Sequence, residues 1–325
     1  YGLRGRAYVD LGGPFAEGNE WIARAGSLLE GAHYEVDYEK TKRSFNYTDR
    51  LDAPAIYVGW YKHRANHQWL DRSVRVPRGA IAYHLHSFSA NTLRSEQKNW
   101  LGPLLAKGYA LTFGYVYEPF LGLSVRPDLF FQSLLTGRSA GEAFSLANPA
   151  LSWQSILIGD PLYWPFAFSL EEQMKSEATG AFASYRQLNQ FYKNKSLFGE
   201  AEALQLGLKA SFDEPNIALM LTLATALLKG GQSDRVIQLL KPLTYLKGFD
   251  LEDVSLADAA AQLLREAGDS RSAMLLYQKL LFAGTLPKDL ELKLLERALT
   301  LAYANRAINF SSRINKRLIE LKGID

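Results

Sequence analysis

Gly79-Ala80-Ile81-Ala82-Tyr83-His84-Leu85-His86-Ser87-Phe88-Ser89-Ala90 opens on an apolar, aromatic-rich run and closes on small polar residues. That order predicts a buried strand over 80–86 that hands over to a helix near Ser87 or Ser89. Two further runs, Ala55-Ile56-Tyr57-Val58-Gly59 and Ser155-Ile156-Leu157-Ile158-Gly159, are apolar along their length, as strands covered on both faces are. Working outward, strands are predicted at 5–10, 33–37, 53–59, 80–86, 110–115 and 155–158, with helices at 19–30, 92–107 and 128–135. Alternation of strand and helix implies an α/β fold, a mostly parallel sheet sandwiched by helices.

The pattern changes near residue 170. All six Trp and all five His lie before it, and Leu, Ala, Lys and Glu dominate after it. A repeat runs through this second part: Gly231, Val236, Leu239, Leu240 and Leu243 recur 37 residues later (231 to 268) as Gly268, Ala273, Leu276, Tyr277 and Leu280. The preceding helix follows the same offset, with Leu219, Leu223 and Leu227 mapping to Leu256, Ala260 and Leu264. A weaker third copy passes through Leu301, Phe310, Ile314 and Leu318, and a looser early one surrounds Phe191, Leu204 and Leu208. Spacings of i, i+3, i+4 and i+7 put each apolar set on one helical face. These are helix–turn–helix repeats near the ~34-residue tetratricopeptide length. Gly231 and Gly268 sit where a left-handed C-cap is needed, and Pro242 should kink or shorten its helix. Two domains follow: an α/β domain over 1–170 and an all-α, tetratricopeptide-like domain over 171–325.

Composition excludes several classes of function. With no Cys there is no thiol nucleophile, disulfide framework or Cys-based metal site. Net charge is only +3, which calls for no nucleic-acid partner. The longest nearly apolar run, 217–228, falls short of the ~20 residues a bilayer span needs, so no transmembrane segment is expected. The opening, without Met or an apolar leader, reads as a trimmed or mature chain. No Gly-rich phosphate loop is present, and no cofactor is expected.

In an open parallel sheet, ligands bind beyond the carboxyl ends of the strands. The candidates there are Asp10, Trp60 and Tyr61, then His84, His86, Ser87 and Ser89, then Glu118 and Asp160. A serine where strand meets helix gains backbone amides as an oxyanion hole and needs a base nearby, for which His63, His84 and His86 are available. Equally, Ser89 or Asn91 caps the next helix. His-x-His on a strand is also a metal-ligand spacing, which Asp10, Glu118 or Asp160 would complete. Gly159-Asp160-Pro161 otherwise reads as a tight turn in which Asp160 bonds backbone amides.

One ordered series of motifs carries a resemblance. It comprises Gly59-Trp60-Tyr61, Gly79-Ala80-Ile81-Ala82, His86-Ser87-Phe88-Ser89-Ala90, Arg94 and Trp100-Leu101-Gly102-Pro103-Leu104-Leu105-Ala106. It continues through Gly114-Tyr115-Val116-Tyr117-Glu118-Pro119-Phe120-Leu121, Ser152-Trp153-Gln154 and Gly159-Asp160-Pro161-Leu162-Tyr163. Over 1–168 the chain resembles a bacterial family found alongside exosortase and PEP-CTERM protein-sorting systems, a family of no established activity. The resemblance implies a place outside the cytoplasm, periplasmic or secreted. More distantly, the order of elements is similar to that of gingipain- and caspase-like cysteine peptidases. In those, a His follows the third strand, a Cys the fourth, and a Gly-Asp-Pro often closes the domain. Here His63 follows the third strand loosely, and Ser87-Phe88-Ser89 stands where the Cys would be. That departure removes cysteine-peptidase activity.

Two functions are therefore expected as alternatives. One is a non-catalytic scaffold on a caspase-like domain, binding a peptide or protein through its strand-end cleft (Asp10, Trp60, Tyr61, Arg94, Glu118, Asp160) and its helical repeats. The other is a hydrolase that uses Ser87 or Ser89 with His63, His84 or His86, or a His-ligated metal.

Overall fold

Strand β1 (Arg6–Asp10) is followed by helix α1 (Ala16–Gly31), then β2 (Val36–Glu39), β3 (Pro54–Gly59), β4 (Ile81–His84) and α2 (Leu101–Lys107). The α/β part continues with β5 (Leu111–Tyr115), α3 (Pro127–Leu135), α4 (Ala140–Ala147) and β6 (Ser155–Ile158). The computed structural model describes residues 3–46, 49–66, 69–70, 74–151, 154–175, 182–249, 253–282 and 286–323. The chain divides into two units, Tyr1–Asn46 with Ala53–Ala203 and Tyr47–Asp52 with Leu204–Asp325.

The sheet of the first unit runs β2-β1-β3-β4-β5-β6. Five strands are parallel, and β6 lies antiparallel to β5 at the edge. Alternation divides the side chains between the two faces. Ala7, Val9, Ile56, Val58, Ile81, Tyr83, Leu111 and Phe113 face α1, α3 and α4, where Trp21, Ile22, Phe130, Phe131 and Ala143 complete a buried core. The opposite face carries Tyr8, Tyr57 and His84. It is covered by α2 and by three aromatic side chains from loops, Phe45, Trp69 and Trp100. Tyr57 meets Trp69 at a tilt with ring centroids 3.8 Å apart, and His84 stacks at 3.5 Å on Trp100.

Several local expectations need correction. The helix predicted over 92–107 forms only as Leu101–Lys107. Pro103 is tolerated in a first turn but would break a helix begun at Thr92. The Thr92 and Ser95 hydroxyls also accept from the Arg94, Gln97 and Lys98 amides, which holds that stretch in turns. Strand β2 starts at Val36 rather than at 33, because α1 runs on to Gly31 and His33 turns through φ +69°. Strand β4 stops at His84, so His86 lies past its end. Helix α4 was not foreseen; Ser139 and Glu142 start it with reciprocal capping bonds. The run at 155–158 is half-buried rather than covered on both faces. Its direction is reversed as well, since Thr112 at the start of β5 faces Ile158 at the end of β6.

After α5 (Leu170–Lys175) come α6 (Tyr185–Phe198), α7 (Glu200–Asp213), α8 (Ile217–Lys229), α9 (Ser233–Leu240), α10 (Val254–Glu266), α11 (Ser270–Phe282), α12 (Lys288–Ala304) and α13 (Ile308–Lys322). Helix α6 belongs to the first unit, where Asn189 Nδ2 donates to the His33 carbonyl and the Tyr192 hydroxyl to Glu35. In the second unit α8 packs on α9, α10 on α11 and α12 on α13. One turn recurs in all three pairs. The amides of Gln232, Asp269 and Ala307 each donate at 2.9 Å to the carbonyl five residues earlier, on Leu227, Leu264 and Ala302. The residue that takes positive φ is Gly231, then Gly268, then Arg306. Helix α9 stops at Leu240, and Pro242 opens a 3-10 turn over Lys241–Tyr245. Between pairs, Asp258 on α10 accepts from the Tyr277 hydroxyl at 2.7 Å and pairs with Arg297 on α12.

Arg306 strains a turn that glycine fits in the other two copies. Arg306→Gly is expected to stabilise the second unit by about 0.5–1 kcal/mol, the left-handed penalty less glycine's greater freedom when unfolded. Far-UV circular dichroism reports this as a higher denaturation midpoint of the helices. An unchanged or lower midpoint would refute it.

Candidate functional site

The carboxyl ends of the parallel strands align as one row: Glu39 on β2 faces Asp10 on β1, Asp10 faces Gly59 on β3, and Gly59 faces His84 on β4. Two layers of chemistry sit on this row, an inner one sealed from solvent and an outer one open to it.

In the inner layer the Lys62 amide donates to His84 Nε2 at 2.9 Å. That nitrogen therefore carries the lone pair, and the ring's proton sits on Nδ1, 2.8 Å from the Tyr57 hydroxyl. The Tyr57 hydroxyl passes its own hydrogen to Asp10 Oδ2 across a long 3.4 Å, and the Ser44 hydroxyl donates to the same oxygen. Burial holds the His84 imidazole well below its usual range, with the neighbouring His86 adding to the effect. Burial also pushes the Asp10 carboxyl up to about 7, against the bonds from Ser44 and Tyr57 and with help from the Glu39 charge. His84 is fully buried with both ring nitrogens engaged. It has no lone pair or proton to offer a substrate, and the expectation of His84 as base or metal ligand is withdrawn. Asp10 is likewise buried and closed off by Ser44 and Tyr57.

The outer layer contains His63, His86, Tyr61, Ser87 and Glu118. His86 Nδ1 donates to the Ser87 carbonyl at 2.5 Å, which leaves Nε2 as the lone-pair nitrogen. Burial lowers the His86 pKa, so the ring is neutral near pH 7. Tyr61 lies 4.5 Å from the His86 ring, and exposed His63 meets its edge at 5.3 Å between centroids. Glu118 is half-buried, its charge opposes the lowering at His86, and its Oε1 accepts from the Phe120 amide at 3.0 Å. The Ser87 side chain is half-buried, and its backbone carbonyl is the group that holds His86 Nδ1. A neutral imidazole with a fixed tautomer and an unused Nε2 can accept a proton or a hydrogen bond from a ligand.

Other expected members fall away from this cluster. Ser89 is fully buried, and its hydroxyl accepts from the Tyr115 amide at 3.1 Å. It ties the loop after β4 to β5 rather than capping a helix or attacking a substrate. Asp160 follows β6, and the reversal of that strand carries it to the amino edge of the sheet, where its Oδ1 accepts from the Leu162 amide at 2.9 Å. It is a turn residue and no part of the strand-end site. Trp60 is 2% exposed, and its indole Nε1 donates to Asn19 Oδ1 at 2.8 Å. A Cβ on Gly13 or Gly18 would stand 1.9 or 2.1 Å from that indole. The crevice between β1 and β3, where an open α/β sheet reverses its strand order and holds a ligand, is thus filled by Trp60. Arg94 is exposed in the loop before α2, and only its amide is tied down, by Thr92. Among the described residues no three His, Asp or Glu side chains converge as a metal would need.

Sequence reasoning missed Ser44 and Tyr57, which enclose the inner layer together with Trp100, a packing residue as expected. Tyr57 was accessible from the sequence, since it shares the face of Gly59 two residues on. Ser44 and Trp100 come from loops without any periodic signal. No family model, curated protein or solved structure matches the chain.

Proposed function

We propose that the first unit is a non-catalytic, peptide-binding domain of caspase-like architecture, fused to a tetratricopeptide-like array that binds a further protein segment. The observation that carries the reading is the fate of the residues after the fourth strand. The Cys position of the peptidases is taken by Ser87-Phe88-Ser89, and Ser89 is consumed by a backbone bond. Around the imidazole pair the same edge exposes Tyr61, Tyr117 and Phe120, apolar surface of the kind partners cover. His63 and His86 follow adjacent strands and meet, in keeping with a strand-end cleft inherited from a peptidase. By its resemblance to sorting-associated proteins the chain acts outside the cytoplasm.

A second reading rests on Ser87. Its hydroxyl has no hydrogen bond to a described residue, and His86 beside it keeps a free Nε2, so a serine hydrolase is the alternative. A fluorogenic peptide library separates the two. The scaffold reading expects no turnover by wild type or by Ser87→Ala. It also expects retained peptide binding that weakens at least about fivefold in Tyr61→Ala or Phe120→Ala, as loss of an aromatic anchor does. Turnover that disappears in Ser87→Ala would overturn it in favour of the hydrolase.

A further inference from the structure

The loops at the carboxyl edge of the sheet are uneven in charge. Lys40 and Lys42 follow β2, Lys62 and Arg64 follow β3, and Arg94 and Lys98 follow β4. Packing brings several of them together. Lys62 Nζ donates to the Lys42 carbonyl, joining the first two loops. The Ala65 amide donates to the Asn99 carbonyl at 2.8 Å, and Trp100 Nε1 to the Lys62 carbonyl at 2.7 Å, so 62–65 runs alongside 98–100. Lys42, Arg64 and Lys98 are exposed, and none has an ion pair with a described residue. The acids on this edge are mostly committed elsewhere. Glu39 is held by Arg43 and Thr41, Asp10 is buried under Ser44 and Tyr57, and Glu118 caps the Phe120 amide beside His86. Glu96, in the loop after β4, is exposed and has a partner of its own.

We infer that the segment bound at this edge is acidic: its carboxylates run along Lys42, Lys62, Arg64 and Lys98, while an apolar side chain meets Tyr61 and His86. The inference rests on the peptide-binding reading and names the class of peptide. Single-stranded nucleic acid fits less well, because its bases need vacant aromatic faces along a basic track. Here the Tyr61 ring already lies against His86, and Phe88 meets Tyr117 edge to face at 5.0 Å.

The test uses the full chain and three fluorescein-labelled probes: a Glu-Gly-Ser repeat peptide with one central Phe, its Gln-Gly-Ser counterpart, and an oligouridine. Fluorescence anisotropy should show the Glu peptide binding tightest, with affinity falling as salt rises. Lys42→Glu/Arg64→Glu, both exposed, should bind it at least about tenfold more weakly, since like charges then face each other. Lys209→Glu/Lys229→Glu on α7 and α8 should match wild type. Equal binding of the Glu and Gln peptides, or tighter binding of oligouridine, would overturn the acidic assignment. Binding of the Gln peptide with its loss in Tyr61→Ala would uphold the peptide-binding reading while sinking this inference. Failure of both peptides would end the two together.

Discussion

Arg6→Ala is expected to lose about 3–5 kcal/mol of the first unit's stability, because it strands the buried Glu35 carboxylate without its cation. Arg6 is 1% exposed at the start of β1, one strand in from the edge of the sheet. Its Nε meets Glu35 at 2.5 Å, one terminal nitrogen meets Asp37 at 2.8 Å, and the other donates to the Tyr8 hydroxyl at 2.6 Å. Tyr192 on α6 adds a bond to Glu35 at 3.0 Å, so one guanidinium ties together β1, β2 and the helix over them. All six Trp lie in the first unit, and tryptophan fluorescence during urea denaturation therefore reads this loss without interference from the helical array. The argument concerns the unpaired charge rather than the pair itself. Arg6→Met/Glu35→Leu, which removes both charges and keeps the volume, should recover most of what Arg6→Met alone loses. Additive losses in that cycle would show that the ion pair is not the source of the effect.

The second large effect depends on pH. In the folded protein Asp10 titrates at about 7 because burial disfavours its charge. In the unfolded chain it titrates near 3.9. Between those values the native state holds a proton that the unfolded state has released, so stability falls as pH rises and levels off above 7. The slope is about 1.4 kcal/mol per pH unit, roughly 4 kcal/mol in all. Asp10→Asn keeps an oxygen to accept from Ser44 and Tyr57 and cannot ionise. Any penalty for its added amide is the same at every pH. The stability of Asp10→Asn minus that of wild type should therefore climb by roughly 4 kcal/mol from pH 4 to pH 8. A difference that stays flat across that range would show that Asp10 is not the buried titrating group.

Both predictions concern residues that the sequence presented one at a time. Asp10 was expected as an open ligand of the strand-end cleft, yet Ser44 and Tyr57 close over it from two other segments, and His84 holds Tyr57 from a third. His84 and His86 read as equivalent members of a His-x-His pair. Strand β4 ends between them, which leaves one sealed against Trp100 and the other open beside His63. Asp160 was counted with the carboxyl ends, and nothing local to Ser155–Ile158 reveals that this strand runs backwards.

What the sequence determined by itself is whatever repeats within a short window. Short, continuously apolar runs marked the strands, i, i+3, i+4 spacing marked the helices, and the 37-residue recurrence from Gly231 to Gly268 marked the paired helices and their shared turn. The absence of any thiol was equally plain. Tertiary structure alone decided which imidazole keeps a free nitrogen, which hydroxyl is consumed and which carboxylate is buried. The physical reason is the same in each case. Secondary structure follows from contacts a few residues apart, whereas the protonation and availability of a side chain depend on partners that meet it only after the sheet has assembled.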